Sequence, residues 1–339
     1  MSCFDLHSSF GKLLTFLPDA FCNEVQQKKL EKFQIFIPPA LTRLFCFESP
    51  LHSEKNWIDT IFYMNLLDGS LASINKFFSE NRNDTTHLSI WKDFYELLNE
   101  SRKDNFFAEH NLTKMFFEFD VGSSIAWPPK PSVFFSVTKN HRFEEIYRKL
   151  FEILKKTDFP FSSTLSKVVK ACAHRSLEIF QVGLMLSRDV KGVRVCIRAT
   201  ELKEEVVDDF LRSIDYPIDR SGFLDLLKRV TPYFSYFALH LDIAEVVSPK
   251  LGLECYIKQG SFSECKTNWE NGFNFLVSEK FTTQEKRRAA ISWLGGFKEE
   301  LSEGWASYRQ FLRTINHIKL IYAPGREIEA KVYLRVYQQ

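Results

Sequence analysis

Pairs of alternating segments recur along the chain, and segments with helical periodicity flank each pair. Alternation with period two predicts β-strands, in the pairs 115–120 with 132–138, 178–187 with 193–199, 236–243 with 251–259, and 316–322 with 330–337. Apolar residues at helical spacing predict amphipathic helices at 142–155, 165–174, 203–214, 222–230, 269–279, 284–294 and 306–315. Four helix–strand–strand–helix units, roughly 60–80 residues apart, indicate one repeated architecture.

The first 111 residues are mainly helical in pattern, with predicted helices at 23–36, 54–67, 71–78 and 88–98. Two short runs, 33–37 and 44–47, are the only strand candidates there. No linker rich in Pro, Gly or Ser divides the chain. We therefore expect a single α+β domain over 1–339, in which a helical part (1–111) precedes four strand-pair units (112–339).

The last strand pair shows what the two strand faces carry. Its turn contains Pro324-Gly325, a strong turn signal. Aliphatic residues occupy one face of the final strand, and the opposite face carries Lys331, Tyr333, Arg335 and Tyr337. Cationic and aromatic side chains therefore share one surface of this hairpin.

If the sheet closes, the helices cover its apolar outside, and the polar strand faces line an interior. We expect these inward residues: Glu118, Asp120, Arg194, Cys196, Arg198, His240, Asp242, Glu254, Tyr256, Lys258, His317, Lys319, Lys331, Tyr333, Arg335 and Tyr337. An open sheet with one solvated face is the alternative. The abundance of Arg, Tyr and His favours the closed lumen.

Composition and motifs exclude several functional classes. A formal net charge of +2 gives no long-range attraction to nucleic acid, and no apolar run is long enough to span a bilayer. The N-terminus lacks signal-peptide features, and seven scattered cysteines fit reduced thiols, so we expect a cytoplasmic protein. Nucleotide-binding glycine loops and the HExxH and GxSxG motifs are absent. Asp208-Asp209 fits a solvated helix face rather than a metal site.

The inward set suits a diphosphate and a carbocation. Arg and Lys on alternate strand positions can bind a diphosphate through charge-assisted hydrogen bonds, and Tyr rings can shield an allylic cation. Glu118 is the candidate base that accepts a proton from an aromatic nucleophile. Each residue also has a structural alternative: a surface lysine for Lys319 or Lys331, an ion pair with Arg194 or Arg198 for Glu118, and a mutual hydrogen bond for His240 and Asp242.

These residues and repeats resemble the αββα-barrel aromatic prenyltransferases, which include the dimethylallyltryptophan synthase-like enzymes. The resemblance implies a ten-stranded antiparallel barrel with outer helices, so the missing strand pair must lie before residue 114. It implies that the diphosphate is held by Arg194, Arg198, Lys258, Lys319, Lys331 and Arg335. It also implies cation shielding by Tyr256, Tyr333 and Tyr337, with Glu118 as the base and with His240, Asp242, Glu254 and His317 as further lumen residues.

A second, C-terminal resemblance is to uncharacterised proteins of bacterial peptide-modification systems. It rests on 285–288, 293–295, 317–319 and 330–334, and it implies the tailoring of a ribosomal peptide or related natural product.

Together these observations predict an aromatic prenyltransferase. It would transfer an allylic group from a prenyl diphosphate to an indole or a peptide side chain, with no required cofactor and Mg²⁺ as an optional one. The alternative is a non-catalytic barrel that binds a peptide or a small apolar ligand. A pure apolar-ligand carrier has no use for buried cations, so loss of Lys331 and Arg335 would hardly affect it. A nucleic-acid binder that stacks bases on Tyr and Arg is a third interpretation, and the near-neutral charge disfavours it.

Overall fold

The computed structural model describes residues 6–38, 41, 44–52, 56–66, 70–81, 84–103, 106–122, 127–137, 143–152, 162–186, 192–199, 202–300 and 308–338. Its helices are α1 Leu6–Leu14, α2 Glu24–Phe33, α3 Ser70–Glu80, α4 Thr85–Lys103, α5 Phe106–Glu109, α6 Phe143–Leu150, α7 Ser162–Ala173, α8 Glu204–Ser213, α9 Ser221–Val230, α10 Phe262–Ser278 and α11 Gln284–Trp293. Its strands are β1 Leu44–Pro50, β2 Asp59–Asn65, β3 Lys114–Phe119, β4 Pro131–Ser136, β5 Glu178–Leu184, β6 Val193–Arg198, β7 Tyr236–Ile243, β8 Val247–Tyr256, β9 Gly295–Glu300, β10 Tyr308–Tyr322 and β11 Glu329–Gln338.

The strands form an antiparallel barrel. Each neighbour pair from β1 to β8 is hydrogen-bonded in chain order, β10 follows β8, and β11 joins β10 to β1. Ten of the strands found in the described ranges therefore close a ring. The remaining strand, β9, pairs with the first half of β10. The described residues thus provide five strand pairs, and the prediction of an antiparallel barrel with outer helices is confirmed.

The fifth strand pair lies in the N-terminal part, where the sequence patterns were partly misleading. The strand candidate at 44–47 is confirmed as the start of β1, whereas 33–37 is the end of α2 and a 3₁₀ turn. The helix predicted at 54–67 is wrong, because 59–65 is strand β2. The helix predicted at 306–315 is also wrong, since β10 begins at Tyr308. Most of the residues that join the predicted strands 178–187 and 193–199 lie outside the described residues.

Phenylalanine fills the layer between the barrel and its helices. On β3, Phe117 faces outward and packs edge-on against Trp91 and Phe94 of α4, with ring centroids 5.4 and 4.6 Å apart. On β1, Phe47 packs against Trp293 of α11 at 6.1 Å. Edge-to-face contacts of this kind add to the stabilisation from burial alone. Phenylalanines of this kind therefore attach helices α4 and α11 to the barrel wall.

Two further features of the described chain bear on the predictions. Its six cysteines, at 22, 46, 172, 196, 255 and 265, are free thiols. Among the described helices, none combines the length and apolar character needed to cross a membrane.

Candidate functional site in the barrel lumen

The barrel encloses a cavity of about 470 Å³. A smaller cavity of about 50 Å³ continues it at one end, and the walls of both include Glu118, Arg194, His240, Lys319 and Tyr333. We call this shared region, together with Glu48, Asp242 and Lys331, the polar end of the lumen. The inward strand faces bring seven of the fourteen predicted site residues together there.

The opposite side of the larger cavity is aromatic. Strands β2 to β5 contribute Tyr63, Phe116, Phe134 and Phe180, which we call the aromatic wall. The rings of Tyr63 and Phe116 lie 5.5 Å apart on neighbouring strands. Most of the charged lining residues lie on β6–β8, β10 and β11; the others are Glu48 on β1 and Lys114 and Glu118 on β3. One side of the lumen can therefore hold an anion while the other holds an apolar group.

Lys331 pairs with Glu48 at the polar end. Its Nζ donates a hydrogen bond to Glu48 Oε1 and lies 4.9 Å from the centroid of the Trp57 ring. Glu48 is 1% exposed. Burial alone would raise its pKa, but Lys331, the Tyr333 hydroxyl and the charge of Lys319 together lower it to about 2. Glu48 is therefore an anion held by a cation, which the burial of charge requires.

Lys319 belongs to a second network. Its Nζ lies 2.7 Å from His240 Nδ1, and because an ammonium can only donate, Nδ1 must accept. His240 Nε2 then carries the hydrogen and lies 2.8 Å from Glu254 Oε1. Burial and the charge of Arg194 lower the pKa of Lys319 to about 8. Burial likewise lowers the pKa of His240 to about 4, against the opposing effect of Glu254.

Gly252 of β8 makes the Lys319–His240 contact feasible. A Cβ at this position would lie 2.9 Å from Lys319 Cε and 3.0 Å from His240 Cβ. Because β8 separates the strands that carry these two residues, Lys319 crosses it where no side chain stands in the way.

Glu254 also faces a second histidine. His317 Nε2 lies 3.1 Å from the same Oε1, and the Tyr256 hydroxyl donates to Oε2. Although burial opposes it, His240 and His317 hold the pKa of Glu254 well below its ordinary value. His317 stacks on Tyr333 with centroids 3.9 Å apart. Two of the predicted cation-shielding tyrosines, Tyr256 and Tyr333, are thereby fixed in the wall of the cavity.

Arg194 and Asp242 form a bidentate pair. Arg194 Nε and Nη2 donate to the two carboxylate oxygens of Asp242 at 2.7 and 2.9 Å. Burial alone would raise the pKa of Asp242, but the guanidinium lowers it. On the outer side, the hydroxyl of Tyr147 in α6 donates to the carbonyl of Arg194 at 2.7 Å. A helix therefore fixes the strand position of this arginine.

Arg335 and Tyr337 lie further along β11, toward the other end of the lumen. Four residues of strand separate Arg335 from Lys331, about 13 Å at 3.3 Å per residue. Arg335 lines the larger cavity but not the small one, and its guanidinium lies 5.0 Å from the Tyr337 ring. Its buried Nε has no hydrogen-bond partner. The guanidinium of Arg335 thus lies outside the polar end, whereas Lys319 and Lys331 belong to it.

Arg198 and Lys258 do not join the polar end. Both are exposed, and neither lines the two lumen cavities. Arg198 pairs with Glu178 at 2.9 Å and lies over the Phe180 ring. The diphosphate role that the resemblance implies for these two residues finds no support in their positions.

Of the two acidic residues predicted on β3 and just after it, Glu118 is the one in the lumen. It is 7% exposed and lines both cavities. Its charge raises the pKa of Tyr333 and opposes the lowering of the pKa of Lys319. Asp120 is buried but does not line either cavity. The expected contact of His240 with Asp242 is replaced by the contacts with Lys319 and Glu254 described above.

Sequence analysis missed Glu48. The strand candidate ended at residue 47, one position too early to include it. Continuing the alternation of β1 from Cys46 would have placed Glu48 on the inward face. Its partner Lys331 is 283 residues away, so no local pattern could have joined them.

The residues lining the two cavities comprise six cations (Lys114, Arg194, Lys250, Lys319, Lys331 and Arg335) and four carboxylates (Glu48, Glu118, Asp242 and Glu254). These lysines, arginines and carboxylates together give the lining two net positive charges. No group of three or more His, Cys, Asp or Glu in the described part of the chain is arranged to hold a metal ion. Because Glu48, Asp242 and Glu254 already bind lysine, arginine or histidine, they do not fit a Mg²⁺ site.

A larger groove, of about 610 Å³, lies outside the barrel along α10. Asn268, Asn271 and Asn274 line it, together with the stacked rings of Tyr233 and Phe275. No residue of its lining is charged. The chemistry-bearing groups are therefore concentrated in the lumen and not in this groove.

Comparisons with known proteins identify the fold. No protein-family model matches this chain, and no curated protein matches it. Among solved structures, AnaPT from Neosartorya fischeri matches with a TM-score of 0.59 at 11% identity, over 96% of this chain and 91% of that one. Prenyltransferase PriB, in a ternary complex with L-tryptophan and dimethylallyl thiolodiphosphate, gives 0.56 at 12%, over 97% and 95%.

A 6-dimethylallyltryptophan synthase from Micromonospora olivasterospora, in complex with DMASPP and Trp, matches with a TM-score of 0.55 at 12% identity, over 98% of this chain and 97% of that one. Likeness at such identities establishes the architecture. The chain has the αββα prenyltransferase-barrel fold. The second resemblance, to peptide-modification proteins, is not tested by these matches and stays a prediction.

Proposed function

We propose that this protein is an aromatic prenyltransferase that moves an allylic group from a prenyl diphosphate to an electron-rich ring. The observation that carries the proposal is the arrangement of the lumen. Lys319, Lys331 and Arg194 converge at the polar end, while the aromatic wall faces them across the same cavity. A prenyl diphosphate has the same division, an anionic head joined to an apolar chain.

In this proposal the diphosphate lies at the polar end. The allylic C–O bond breaks, and both of its electrons leave with the diphosphate. Lys319 and Lys331 stabilise the negative charge that develops on the leaving group. Tyr333 and Tyr256 present ring faces to the carbocation, and such contacts are worth about 0.5–2 kcal/mol each. Tyr337, predicted as a third cation-shielding ring, lines neither lumen cavity, so we assign it no part in the transfer.

The acceptor ring then attacks the carbocation through one of its carbon atoms. The new C–C bond leaves a proton to be removed from that carbon, and a carboxylate in the lumen must accept it. Glu118 lines both cavities, so it can reach an acceptor beside the aromatic wall. Glu48 is a weaker base, because its pKa is lowered to about 2. We therefore assign the proton to Glu118.

The acceptor is proposed to be an indole or a peptide side chain, in natural-product biosynthesis in the cytoplasm. Two solved relatives of the fold hold tryptophan beside a dimethylallyl diphosphate analogue, which supports an indole. A Tyr-, Phe- and His-lined chamber of about 470 Å³ suits any flat, electron-rich ring.

One observation favours the alternative, a binding barrel without catalysis. Lys331 and Arg194 are already paired with carboxylates, so a diphosphate must compete with Glu48 and Asp242. A neutral or zwitterionic ligand would meet no such competition. The two functions are separated by whether a diphosphate binds and whether the lysines matter for it.

Calorimetric titration with dimethylallyl and geranyl thiodiphosphates, with and without Mg²⁺, tests the proposal. Wild type should bind one analogue with micromolar affinity. Lys319→Met and the pair Lys331→Met/Glu48→Gln should each bind at least tenfold more weakly, because a hydrogen bond to a charged group is worth about 1.5–3 kcal/mol. The double change removes the cation without leaving a buried carboxylate unpaired. Lys228→Met, on the exposed side of α9, is the control and should bind normally.

Failure of the wild type to bind either analogue would refute the prenyltransferase proposal. Normal binding by both lumen variants would show that the polar end does not hold the diphosphate. If the analogue binds as expected, turnover of dimethylallyl diphosphate with tryptophan and with tyrosine-containing peptides identifies the acceptor class.

A further inference from the structure

Phe134 of β4 lies directly over Gly183 of β5. A Cβ built on Gly183 would come within 2.2 to 2.9 Å of three ring atoms of Phe134, closer than any real side chain could approach. The two residues are register partners on adjacent strands. The ring therefore occupies the inward space that a side chain at position 183 would otherwise fill.

This contact lies in the wall of the larger cavity, in the same register row as Arg194. In the next register pairs Gly183 faces Arg194, and Arg194 faces Asp242. One register row thus runs from Phe134 on β4, over Gly183 on β5, to Arg194 on β6. Neighbouring strands are about 4.8 Å apart, so the backbone of Phe134 is about 10 Å from that of Arg194.

An apolar chain that starts from an anion at the polar end and follows this row meets the Phe134 ring. Gly183 offers no side chain between them, and Phe134 is 5% exposed, so its ring is confined by its surroundings. Phe180 of the aromatic wall lies beneath the exposed Arg198, toward the rim. The Phe134 ring is therefore the apolar group nearest to the arginine along this row.

We propose that Phe134, seated on Gly183, limits the length of the prenyl group that the lumen accepts to a single isoprene unit. This inference rests on the proposed function, since it assumes that a prenyl diphosphate binds at the polar end. It assigns a specificity-determining role to one ring. Removing that ring opens space along the row over Gly183, where a second isoprene unit can lie.

The test compares the dissociation constants of dimethylallyl and geranyl thiodiphosphates for wild type and for Phe134→Ala and Phe134→Leu. Wild type should prefer the dimethylallyl analogue. Phe134→Ala should shift the ratio of the two constants toward geranyl by at least about tenfold, and Phe134→Leu by a smaller factor in the same direction. The shift arises because added apolar contact strengthens only the binding of the longer chain.

Phe135→Leu is the matched control. Phe135 is the next residue, faces outward and packs against Phe107, so its change should lower stability without altering the ratio. If the alanine variant does not fold, the leucine variant carries the comparison.

Failure of the proposed function and failure of the role of Phe134 give different results in this test. If wild type binds neither analogue, the proposed function fails and this inference fails with it. If wild type binds the dimethylallyl analogue but both Phe134 variants keep its ratio within about twofold, the proposed function stands and the role of Phe134 is refuted. A wild type that prefers the geranyl analogue also refutes it.

Discussion

The Lys331–Glu48 pair allows a quantitative test of how the charges in the lumen are balanced. Glu48 is 1% exposed, and its pKa falls from 4.5 to about 2. Each pH unit corresponds to about 1.4 kcal/mol, so the folded environment favours the Glu48 anion by about 3 kcal/mol. Breaking a buried ion pair by removing one partner costs about 3–5 kcal/mol. Lys331→Met should therefore lower the free energy of unfolding at pH 7. We expect a loss of about 3 kcal/mol, the low end of that range, because Tyr333 and Lys319 still stabilise the Glu48 anion.

The pH dependence of this loss has a definite sign. In the wild type the pKa of Glu48 is depressed, so its stabilising contribution is present above pH 4.5 and is lost as the pH falls toward 2. In Lys331→Met the lysine charge no longer opposes the effect of burial, so burial raises the pKa of Glu48. Folded Glu48 then takes up a proton as the pH falls. The deficit of the variant should shrink between pH 7 and pH 5.

Urea unfolding at both pH values, followed by tryptophan fluorescence, measures this deficit. Lys331→Met/Glu48→Gln should recover most of the stability, because neither member of the pair is left as a buried charge without its partner. Lys28→Met, which removes one partner of the exposed pair Lys28–Glu24, should cost less than about 0.5 kcal/mol. A loss below about 1 kcal/mol in Lys331→Met at pH 7, or an equal loss at pH 5, would contradict the reasoning.

Three further predictions concern the same lumen. Binding of the dimethylallyl thiodiphosphate should weaken as the pH rises through about 8, where Lys319 loses its proton, and Lys319→Met should abolish that dependence. Gly252→Ala should lower the free energy of unfolding by about 1–3 kcal/mol, because the new Cβ meets Lys319 and His240; Gly11→Ala, in open space on α1, should not destabilise. Arg335→Met should leave stability unchanged or raise it, since its buried Nε has no hydrogen-bond partner, and urea unfolding checks this.

Alternation identified the inward faces wherever one strand face was polar. The strand residues Lys331, Tyr333 and Arg335 line the lumen as predicted, while Val332 and Leu334 between them are fully buried. The pattern is local, because successive side chains of a strand point to opposite faces. Alternation therefore placed Glu118, Arg194, His240 and Glu254 correctly in the lumen. The same rule also predicted Asp120, Arg198 and Lys258 to face inward, and these residues do not line either lumen cavity.

The same rule fails where both faces of a strand are apolar. On β2, Ile61 and Tyr63 line the lumen, the Phe62 ring packs against Phe45 and Phe119, and Met64 is fully buried, so no alternation is visible. The apolar residues of 57–66 also fit helical spacing, which produced the wrong helix. Because an aromatic wall makes a strand apolar on both sides, the feature that gives the lumen its apolar chamber also hides the strand.

The pairing of charges depends on closure of the barrel, and no local sequence pattern predicts which strands meet there. Glu48 meets Tyr333 in register only because β1 and β11, from opposite ends of the chain, are neighbours in the barrel. Sequence analysis therefore placed Lys331 in the lumen but could not supply its counter-ion. That omission matters for function. A row of unpaired cations would bind any diphosphate by charge alone, whereas Lys331 held by Glu48 and Arg194 held by Asp242 gain only the difference between a diphosphate and a carboxylate. If the donor is a prenyl diphosphate, as proposed, its selection must then come from the apolar chain as well, and in that proposal the aromatic wall is the part of the lumen that contacts the chain.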